Sequence, residues 1–497
     1  MPTRPVFVRS FNRMSPAAAW TLSTKTPNPS LLNRSKGSSK LFNSHATHSQ
    51  RGVEAVSLLP TYLADARAVQ RYSPETPHGA LNLGVAENQM LEDLLVPALS
   101  EFGAGTFTAD CIYYQPTQGR ASLRKTFCDY LKRTLDLSRD LDEDGLILGA
   151  GCNAVLENLC IALADPGDVV LIPTPYYAAF EFDLVARAGL NVHAVNTFEH
   201  SQADLQPFEN GEGSVPVEAY FPTAAALDAA LQKASEEGHR PRVLLLSHPN
   251  NPLGISYPDH VVLECIEWCR EHQVHLVSDE IYAGGVYGSP KHFTSALELA
   301  GKDLGPYVHF VYALSKDFAL SGLRVGACYS ENKDIRLPLQ KLNDLCQISS
   351  QTQLLVEKML TTKSDSGSFW TDDFLSENRS RISSRSDGLQ FLLDEYQVPF
   401  LSADSGLFLW IDLSSYLTPL DPASVGSNGL ETAESMAARE RTLYLKLMKE
   451  YGLLFTPGLS MHNEKPGFFR CVFTAASNEE FDLSLRRLRN FFDNHKG

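Results

Sequence analysis

Short, continuously apolar runs alternate with helical stretches between about residue 80 and residue 345. Each run ends abruptly in polar residues, and the clearest are VVLIPTP (169–175), RVLLLSHPNNPLG (242–254), VHLVSDEIY (274–282) and VHFVYALSKDF (308–318). Continuous rather than alternating hydrophobicity is typical of strands buried on both faces, as in a mostly parallel sheet covered by helices. Ligands of such sheets bind at the carboxyl ends of the strands, so the polar tips predict a small-molecule site.

The pattern changes after residue 345. GLFLWIDL and FFRCVF predict strands in this part of the chain, and ERTLYLKLMKEYG predicts a helix. The sequence therefore predicts an α/β fold, with a three-layer αβα large domain around a mostly parallel sheet and a smaller α+β C-terminal domain. The predicted boundaries are an N-terminal arm over 54–80, a large domain over 81–345, a small domain over 346–497, and loops or insertions at 200–222 and 416–434.

Composition excludes several classes of protein. The chain has 497 residues, of which 43% are hydrophobic and 21% charged, as in a globular protein of two or three domains. No apolar run reaches the roughly 20 residues that span a bilayer, so no membrane-spanning segment is expected. The net charge of −16 repels phosphate backbones, so nucleic acid is not an expected partner.

The first 53 residues differ from the rest in charge. They contain eight Lys or Arg, and no Asp or Glu occurs before Glu54. An acidic-poor leader rich in Arg and Ser is typical of mitochondrial transit peptides, but Pro2, Pro5 and Pro16 interrupt any amphipathic helix. Residues 1–53 are therefore interpreted as a disordered or targeting leader. The expected location is the cytoplasm, with the mitochondrion as the alternative.

Cysteine and histidine patterns do not indicate a metal site. The nine cysteines contain no Cys-x-x-Cys pair. Without a secretory leader, the chain is expected in a reducing compartment. Cys265 and Cys269 lie four residues apart on a predicted helix, where packing is their expected role. There is no HExxH motif, and His272 and His275 have no recognisable ligand partner nearby, so no metal is predicted.

Lys316 follows a buried strand, with Ser315 beside it and Arg324 eight residues further on. A lysine in this position is usually a solvated surface residue. A desolvated lysine near another cation, however, has a lowered pKa and can form a Schiff base with a carbonyl compound. The Ser315 hydroxyl and the Arg324 guanidinium together suit a phosphate group.

Asp279 ends the strand VHLVS and precedes Tyr282 by three residues. An isolated Asp here is normally a helix N-cap. A carboxylate at a buried strand end can also keep a cofactor's ring nitrogen protonated, as pyridoxal phosphate requires in order to act as an electron sink. Tyr282 and Asn251 could then donate to the phenolic oxygen of that cofactor, although an Asn before Pro is otherwise a turn residue.

The segment GAGCNAVLEN predicts an anion site. Gly149 and Gly151 permit close approach of the backbone, and free N–H groups at the start of the next helix attract phosphate. The segment also fits the dinucleotide fingerprint G-x-G-x-x-A, which leaves a nicotinamide-dependent dehydrogenase as an alternative. Asp165 and Asp168 lie in a turn rather than at the end of the next strand, where a ribose carboxylate belongs. Tyr177 could stack on a flat cofactor ring, or be plain core.

Arg470 interrupts the strand FFRCVF. Phe469 and Cys471 share one face of that strand, so Arg470 points the other way. A partly buried Arg needs a partner, either a structural carboxylate or the carboxylate of a substrate. Bidentate capture of an α-carboxylate is the functional hypothesis.

Together these motifs resemble the class I/II aminotransferase superfamily of fold type I pyridoxal-phosphate enzymes. Within it the chain is most similar to the 1-aminocyclopropane-1-carboxylate (ACC) synthase-like branch. The resemblance runs from about residue 80 to residue 480. It is carried by NLGVAENQM, PTPYY, NNPLG, SDEIY, SKDFALSGLRVG, SSQTQ, GLFLWIDL and PGFFR.

The resemblance implies a role for each matching residue and a homodimer with shared active sites. Lys316 would form the internal aldimine with pyridoxal 5'-phosphate and act as the catalytic base, assisted by Asp279 and Tyr282. The remaining implied cofactor contacts are Cys152, Asn153, Tyr177, Asn251, Ser315, Arg324 and a tyrosine of the partner subunit. Arg470 would bind the carboxylate of an α-amino acid, with Glu87 and Asn88 lining the substrate side.

The sequence departs from the plant ACC synthases at one motif. YYQPTQGRASLR spaces Tyr114 and Gly119 as Y-x-P-x-x-G, similar to general aminotransferases, whereas plant ACC synthases have a shorter YxGLP run. Tyr114 is the predicted intersubunit phosphate ligand, with Tyr113 as the alternative. Aminotransfer between an amino acid and a keto acid is thus the expected reaction. ACC synthase-like α,γ-elimination, a carbon–sulfur lyase and an inactive scaffold are the alternatives.

Overall fold

The computed structural model describes residues 49–201, 203, 205, 215–288, 293–426 and 429–495. Most of the predicted leader lies outside these residues. Helix α1 begins at Gln50, before the predicted end of the leader, and Arg51 donates from Nη2 to the Arg187 carbonyl at 2.9 Å. No helix in these ranges is long and apolar enough to cross a membrane.

The strands form three sheets. They are β1 Leu81–Asn82, β2 Leu146–Gly149, β3 Val169–Pro173, β4 Asn191–Val195, β5 Pro241–Ser247, β6 His275–Asp279, β7 Val308–Ala313, β8 Gly326–Ser330, β9 Phe400–Leu401, β10 Phe408–Asp412, β11 Leu453–Leu454, β12 Thr456–Pro457 and β13 Phe468–Val472.

The helices surround and connect these sheets. They are α1 Gln50–Ser57, α2 Tyr62–Ala68, α3 Glu92–Gly103, α4 Ala121–Thr134, α5 Cys152–Leu163, α6 Phe180–Val185, α7 Ala224–Glu236, α8 Asp259–His272, α9 Ala296–Leu299, α10 Leu314–Asp317, α11 Lys333–Leu342, α12 Ser350–Thr361, α13 Trp370–Glu395, α14 Ala433–Glu450 and α15 Asn478–Asp493.

The large sheet has the strand order β2-β8-β7-β6-β5-β3-β4, and β8 alone runs antiparallel to its neighbours. Successive residues of one strand enter two different apolar clusters. In β5, Leu244 and Leu246 face a cluster that includes residues of α4, α7 and α8, while Val243 and Leu245 face one that includes residues of α5, α6 and α11. Both faces of the sheet are therefore buried, which explains the continuous apolar runs and confirms the predicted three-layer architecture.

A smaller antiparallel sheet of order β12-β13-β10-β9 forms the core of the C-terminal domain. Its strands pack with α13, α14 and α15 in a separate apolar cluster. Strand β1 pairs in parallel with β11, so residues 81–82 lie beside residues 453–454. The predicted smaller C-terminal domain is confirmed, and its boundary at residue 346 stays a prediction.

The two predicted loop segments contain little regular structure where they are described. Short 3-10 turns occur at Val217–Tyr220 and Pro422–Ser424, and residues 206–214 and 427–428 lie outside the described ranges. Cys265 and Cys269 are buried on α8, as their predicted packing role requires.

Parallel pairing places the polar ends of the central strands side by side. Ser247 at the end of β5 pairs with Asp279 at the end of β6, and Asp279 pairs with Val311 near the end of β7. Lys316 follows on the short helix α10. The ends of three neighbouring strands, β5, β6 and β7, therefore bring polar side chains to the same edge of the sheet.

Candidate active site

A cavity of about 380 Å³ lies between this edge of the large sheet and strand β13 of the small sheet. The predicted site residues that line it are Glu87, Cys152, Asn153, Tyr177, Asn251, Asp279, Tyr282, Ser315, Lys316, Arg324 and Arg470. A larger groove of about 860 Å³ along α13 is lined by none of the predicted site residues. The smaller cavity is therefore the candidate active site.

Lys316 projects into this cavity from α10. Its Nζ donates a hydrogen bond to the Ala86 carbonyl at 2.6 Å. Burial, followed by the positive charge of Arg470, lowers the pKa of Lys316 to about 8, while the Glu87 carboxylate acts in the opposite direction. A substantial fraction of this amine is neutral near pH 7–8, which is the nucleophilic and basic form.

Asp279 is a buried carboxylate with 4% of its surface exposed. Its Oδ1 accepts from the Cys152 thiol at 3.7 Å and from the Ile281 N–H at 3.3 Å. Among the described residues, no Lys, Arg or His nitrogen lies within 4.0 Å of it. Burial raises its pKa to about 6. A cationic ring placed here would supply the missing counter-charge.

Arg470 lies in the middle of β13 and is 3% exposed. Its Nη1 donates to Asn251 Oδ1 at 2.7 Å, and its Nη2 donates to the Gly84 carbonyl at 2.7 Å. Its Nε is buried without a hydrogen-bond partner, and no carboxylate of the described residues lies within ion-pair distance. The structural ion pair considered for this residue is therefore absent from the described part of the chain. A guanidinium in this state suits a substrate carboxylate.

Tyr282 and Asn251 both line the cavity. The Tyr282 ring is buried and lies edge-on to Phe408, with 5.5 Å between ring centroids. Burial raises the pKa of Tyr282, so its hydroxyl remains a donor at neutral pH. Asn251 accepts from Arg470 through Oδ1, which leaves its Nδ2 as a donor. Two neutral donors thus face the cavity where a phenolate oxygen could be bound.

Gly151 and Arg324 approach each other closely and form a cradle at the cavity. Gly151 has φ of 93°, a backbone conformation that favours glycine, and a Cβ there would meet the Arg324 guanidinium. Arg324 donates from Nη1 to the Ser321 carbonyl at 3.0 Å. The buried Ser315 and the first N–H groups of α5 lie on the same cavity. This set suits a dianionic group.

The side chains of the two residues at the start of α5 are engaged by carboxylates. The Cys152 thiol donates to Asp279, and Asn153 donates from Nδ2 to Asp183 Oδ2 at 2.7 Å. Their backbone N–H groups, rather than these side chains, are therefore the groups free for an anion. Tyr177 lines the cavity, and burial raises its pKa to about 12, which keeps its ring uncharged.

Two predicted residues do not line the cavity. The side chain of Asn88 is buried elsewhere, where Nδ2 donates to Asn378 Oδ1 at 2.9 Å and Oδ1 accepts from the Met90 N–H. Its neighbour Glu87 does line the cavity. Tyr114 is fully exposed, at 100% relative accessibility, and is not among the residues that line the cavity of its own chain. Its predicted role concerned the site of a partner subunit.

Other lining residues were missed from the sequence. Tyr62 and Leu63 come from helix α2 of the arm, and Asp183 comes from α6. Ser247 could have been found, because it ends a continuous apolar run as Asp279 does. The sequence around Tyr62 and Leu63 has no comparable pattern that indicates a site, since the position of these side chains depends on where α2 packs.

Comparison with known proteins gives the family. The family model of class I and II aminotransferases matches residues 81–488. ACC synthase 5 of Oryza sativa subsp. japonica is 32% identical over 441 residues, covering 86% of this chain and 76% of that protein. ACC synthase 11 of Arabidopsis thaliana is 31% identical over 430 residues, covering 84% of this chain and 85% of that protein.

Solved structures show the same fold. Aspartate aminotransferase from Thermus thermophilus, determined with maleate, has a TM-score of 0.67 at 20% identity, covering 90% of this chain and 99% of that one. The aromatic aminotransferase from Pyrococcus horikoshii OT3 has a TM-score of 0.66 at 18% identity, covering 89% and 99%.

The chain belongs to the class I/II aminotransferase family, whose members depend on pyridoxal 5'-phosphate. Its relatives of about 30% identity include the ACC synthases of rice and Arabidopsis. The residues of the cavity fit this cofactor, because the uncompensated Asp279, the low-pKa Lys316 and the cradle at Gly151 are the groups that its ring, aldehyde and phosphate need. The nicotinamide-dependent alternative has no support in these comparisons.

Proposed function

We propose that this enzyme transforms an α-amino acid and that its reaction is aminotransfer to a keto acid. The observation that carries the proposal is Arg470, which is buried without a carboxylate partner among the described residues and lies on the same cavity as Lys316. A buried guanidinium without a carboxylate partner favours a substrate that has a carboxylate, and a cofactor aldehyde beside it favours one that also has an amino group.

The residues that would hold the cofactor are those of the cavity. Asp279 would hold the ring nitrogen, and Asn251 and Tyr282 would donate to the phenolic oxygen. Ser315, Arg324 and the first N–H groups of α5 would hold the phosphate, and Tyr177 would stack on the ring. When bound, pyridoxal phosphate supplies an electron sink for negative charge that develops at the substrate α-carbon.

Lys316 would accept the proton from the α-carbon of the substrate. With the carboxylate held by Arg470, the α-hydrogen of the substrate is directed toward Nζ of Lys316, which removes it in its neutral form. General-base assistance of this kind contributes roughly 10²–10⁴-fold to rate. For aminotransfer, the same Nζ would return the proton to the cofactor carbon. For elimination, the electron pair left at the α-carbon would instead expel a substituent from the β- or γ-carbon of the substrate.

ACC synthase-like elimination is the second candidate function. It is favoured by the ACC synthases among the relatives, at 29–33% identity. Aminotransfer is favoured by the Y-x-P-x-x-G spacing at Tyr114, which differs from the run of the plant ACC synthases. A carbon–sulfur lyase is a variant of the elimination candidate.

Product analysis distinguishes these reactions. The holoenzyme is incubated with S-adenosylmethionine alone, with a thioether amino acid alone, and with amino-acid/keto-acid pairs. Aminotransfer predicts a new amino acid that forms only when a keto acid is present. Formation of ACC, or of a keto acid with ammonia in the absence of any acceptor, would replace aminotransfer by the corresponding elimination.

We also propose that the enzyme is a homodimer with shared active sites. The surface segment that contains the predicted intersubunit tyrosine exposes Phe107, Ile112, Tyr113 and Tyr114, at 67–100% of their surface. Large apolar side chains exposed close together in sequence are typical of an interaction surface. Light scattering of the holoenzyme tests the dimer, and a monomer at micromolar concentration would contradict it.

The cytoplasm is the proposed location, with the mitochondrion as the alternative. The proposal rests on the nine unpaired cysteines and on the two interpretations of residues 1–53. Fusion of residues 1–53 to a fluorescent protein separates the alternatives, because a targeting leader would direct the fusion to mitochondria and a plain tail would leave it diffuse.

A further inference from the structure

Three ligand atoms converge at the outer edge of the large sheet, away from the candidate active site. His193 Nε2 lies 3.5 Å from Glu237 Oε2, and His239 Nδ1 lies 4.0 Å from the same oxygen. All three atoms lie within 4.8 Å of one another. None of these residues lines the candidate active-site cavity.

The spacing suits a tetrahedral ion. Bonds of about 2.0–2.1 Å from Zn²⁺ to nitrogen or oxygen, at tetrahedral angles, place neighbouring ligand atoms about 3.3–3.4 Å apart. The contact of His193 with Glu237 already has nearly this length, at 3.5 Å. The contact of His239 with Glu237, at 4.0 Å, needs to shorten by about 0.6–0.7 Å, and the two histidine nitrogens, which lie within 4.8 Å of each other, need to approach by at most about 1.5 Å. Rotation of the side chains provides movements of this size.

The backbone presents the three side chains from two elements that pack together. His193 belongs to β4, the edge strand that pairs only with β3 in the large sheet. Glu237 and His239 flank Gly238, which has φ of 79° and ends α7. The His239 N–H donates to the Ala234 carbonyl at 2.9 Å, which fastens this turn to the helix. The carboxyl end of a helix also favours a cation.

The buried imidazole nitrogen of His239 gives an independent indication that a ligand is missing. Nδ1 of His239 is buried and makes no hydrogen bond to the described residues. A buried polar atom without a partner in a native fold often marks an unoccupied ion or water position.

We propose that His193, Glu237 and His239 form a zinc-binding site, with water as the fourth ligand, that fastens helix α7 to the edge of the large sheet. Two histidines and a carboxylate are a ligand set that Zn²⁺ accepts. The three residues lie up to 46 positions apart, so motif spacing in the sequence does not bring them together. This site is independent of the reaction proposed for the active site.

Zinc titration of the full-length holoenzyme tests this proposal. Protein stripped with a chelator is titrated with Zn²⁺ in the presence of a competing zinc indicator. Wild type should bind one ion per chain more tightly than the variants. His193→Ala and His239→Ala should each weaken binding at least about tenfold, since even residues that only support ligands contribute that much. Glu237→Gln, which keeps the shape of an exposed side chain, should weaken it as well.

His260→Ala is the matched control, because His260 is exposed on α8 and is not part of the cluster. It should bind Zn²⁺ as wild type does. Far-UV circular dichroism and the cofactor spectrum verify that each variant is folded. Bound Zn²⁺ should also raise the melting temperature of wild type and not that of His193→Ala. Equal zinc binding by wild type and all variants, or none by wild type, would overturn the proposal.

Discussion

Arg470 donates a 2.7 Å hydrogen bond to Oδ1 of Asn251, which joins the central part of strand β13 to the loop after β5. The same guanidinium lowers the pKa of Lys316. A residue assigned to the substrate carboxylate therefore also orients a proposed cofactor ligand and tunes the proposed base. Changes at Arg470 should consequently have two separable effects.

The first effect is on substrate affinity. Arg470→Ala removes the proposed carboxylate partner, and the loss of one member of a buried charged hydrogen bond costs about 2–5 kcal/mol, or roughly 30- to 4,000-fold in affinity. The Michaelis constant for amino acids should rise by this factor, while cofactor affinity changes far less. Arg470→Lys should recover only part of the loss, because an ammonium lacks the planar fork. Equal losses of substrate and cofactor affinity would refute the role given to Arg470.

The second effect is on the pH dependence of cofactor loading. Only the neutral Lys316 amine can attack an aldehyde, so the rate at which the apoprotein binds pyridoxal phosphate covalently should rise with pH and level off above its pKa of about 8. In Arg470→Ala the midpoint should move to higher pH, because the positive charge that disfavours protonated Lys316 is gone. Stopped-flow absorbance measures both midpoints.

Arg441→Ala is the control for that shift, since Arg441 forms a half-exposed pair with Asp65 that does not involve the cavity. Its midpoint should equal that of wild type. A midpoint in Arg470→Ala at or below the wild-type value would contradict the electrostatic coupling between Arg470 and Lys316.

Asp279 should limit the stability of the apoprotein at neutral pH. Its pKa in the folded apoprotein is raised to about 6 from an ordinary 3.8, so its contribution to stability is greatest below pH 3.8 and is lost as pH rises to about 6. By that shift, Asp279→Asn should stabilise the apoprotein by at most about 3 kcal/mol at pH 7. Urea unfolding at pH 5 and pH 7 measures the difference.

The holoenzyme should respond in the opposite way. Asp279→Asn removes the charge proposed to keep the ring nitrogen of the cofactor protonated, so activity should fall steeply although the apoprotein gains stability. An asparagine variant that is less stable as apoprotein at pH 7, or that retains full activity, would show that Asp279 is a structural residue.

The sequence predicted the parts of the site that follow buried strands. Asp279 and Lys316 come directly after continuous apolar runs, and parallel pairing brings such tips to one edge without further information. Asn88 was misplaced because its partner, Asn378, lies 290 positions away on α13. Tyr62 was missed for a similar reason, since only the packing of α2 decides which of its side chains reaches the cavity. Long-range packing, rather than local pattern, decides these positions.

Tyr114 provides a test of the shared active site. If it binds the phosphate of the partner's site, Tyr114→Phe should weaken cofactor binding without destabilising the isolated chain, because its side chain is fully exposed there. Tyr113→Phe is the matched control and distinguishes the two candidate tyrosines. Hybrid dimers of Tyr114→Phe with Lys316→Ala should regain one intact site. Failure of the hybrids to recover activity would place Tyr114 outside the partner's site.

The central claim is that Lys316 binds pyridoxal phosphate beside Asp279, and the absorption spectrum of the purified protein tests it most directly. The spectrum is recorded for wild type and for Lys316→Ala after each is incubated with the cofactor, and each sample is then treated with borohydride, which reduces the Schiff base to a colourless amine and fixes the cofactor to the lysine. Wild type should be yellow and retain the cofactor covalently at Lys316 in peptide mass spectra, whereas Lys316→Ala should retain none. A colourless wild type, or reduction that labels a different lysine, would contradict the account.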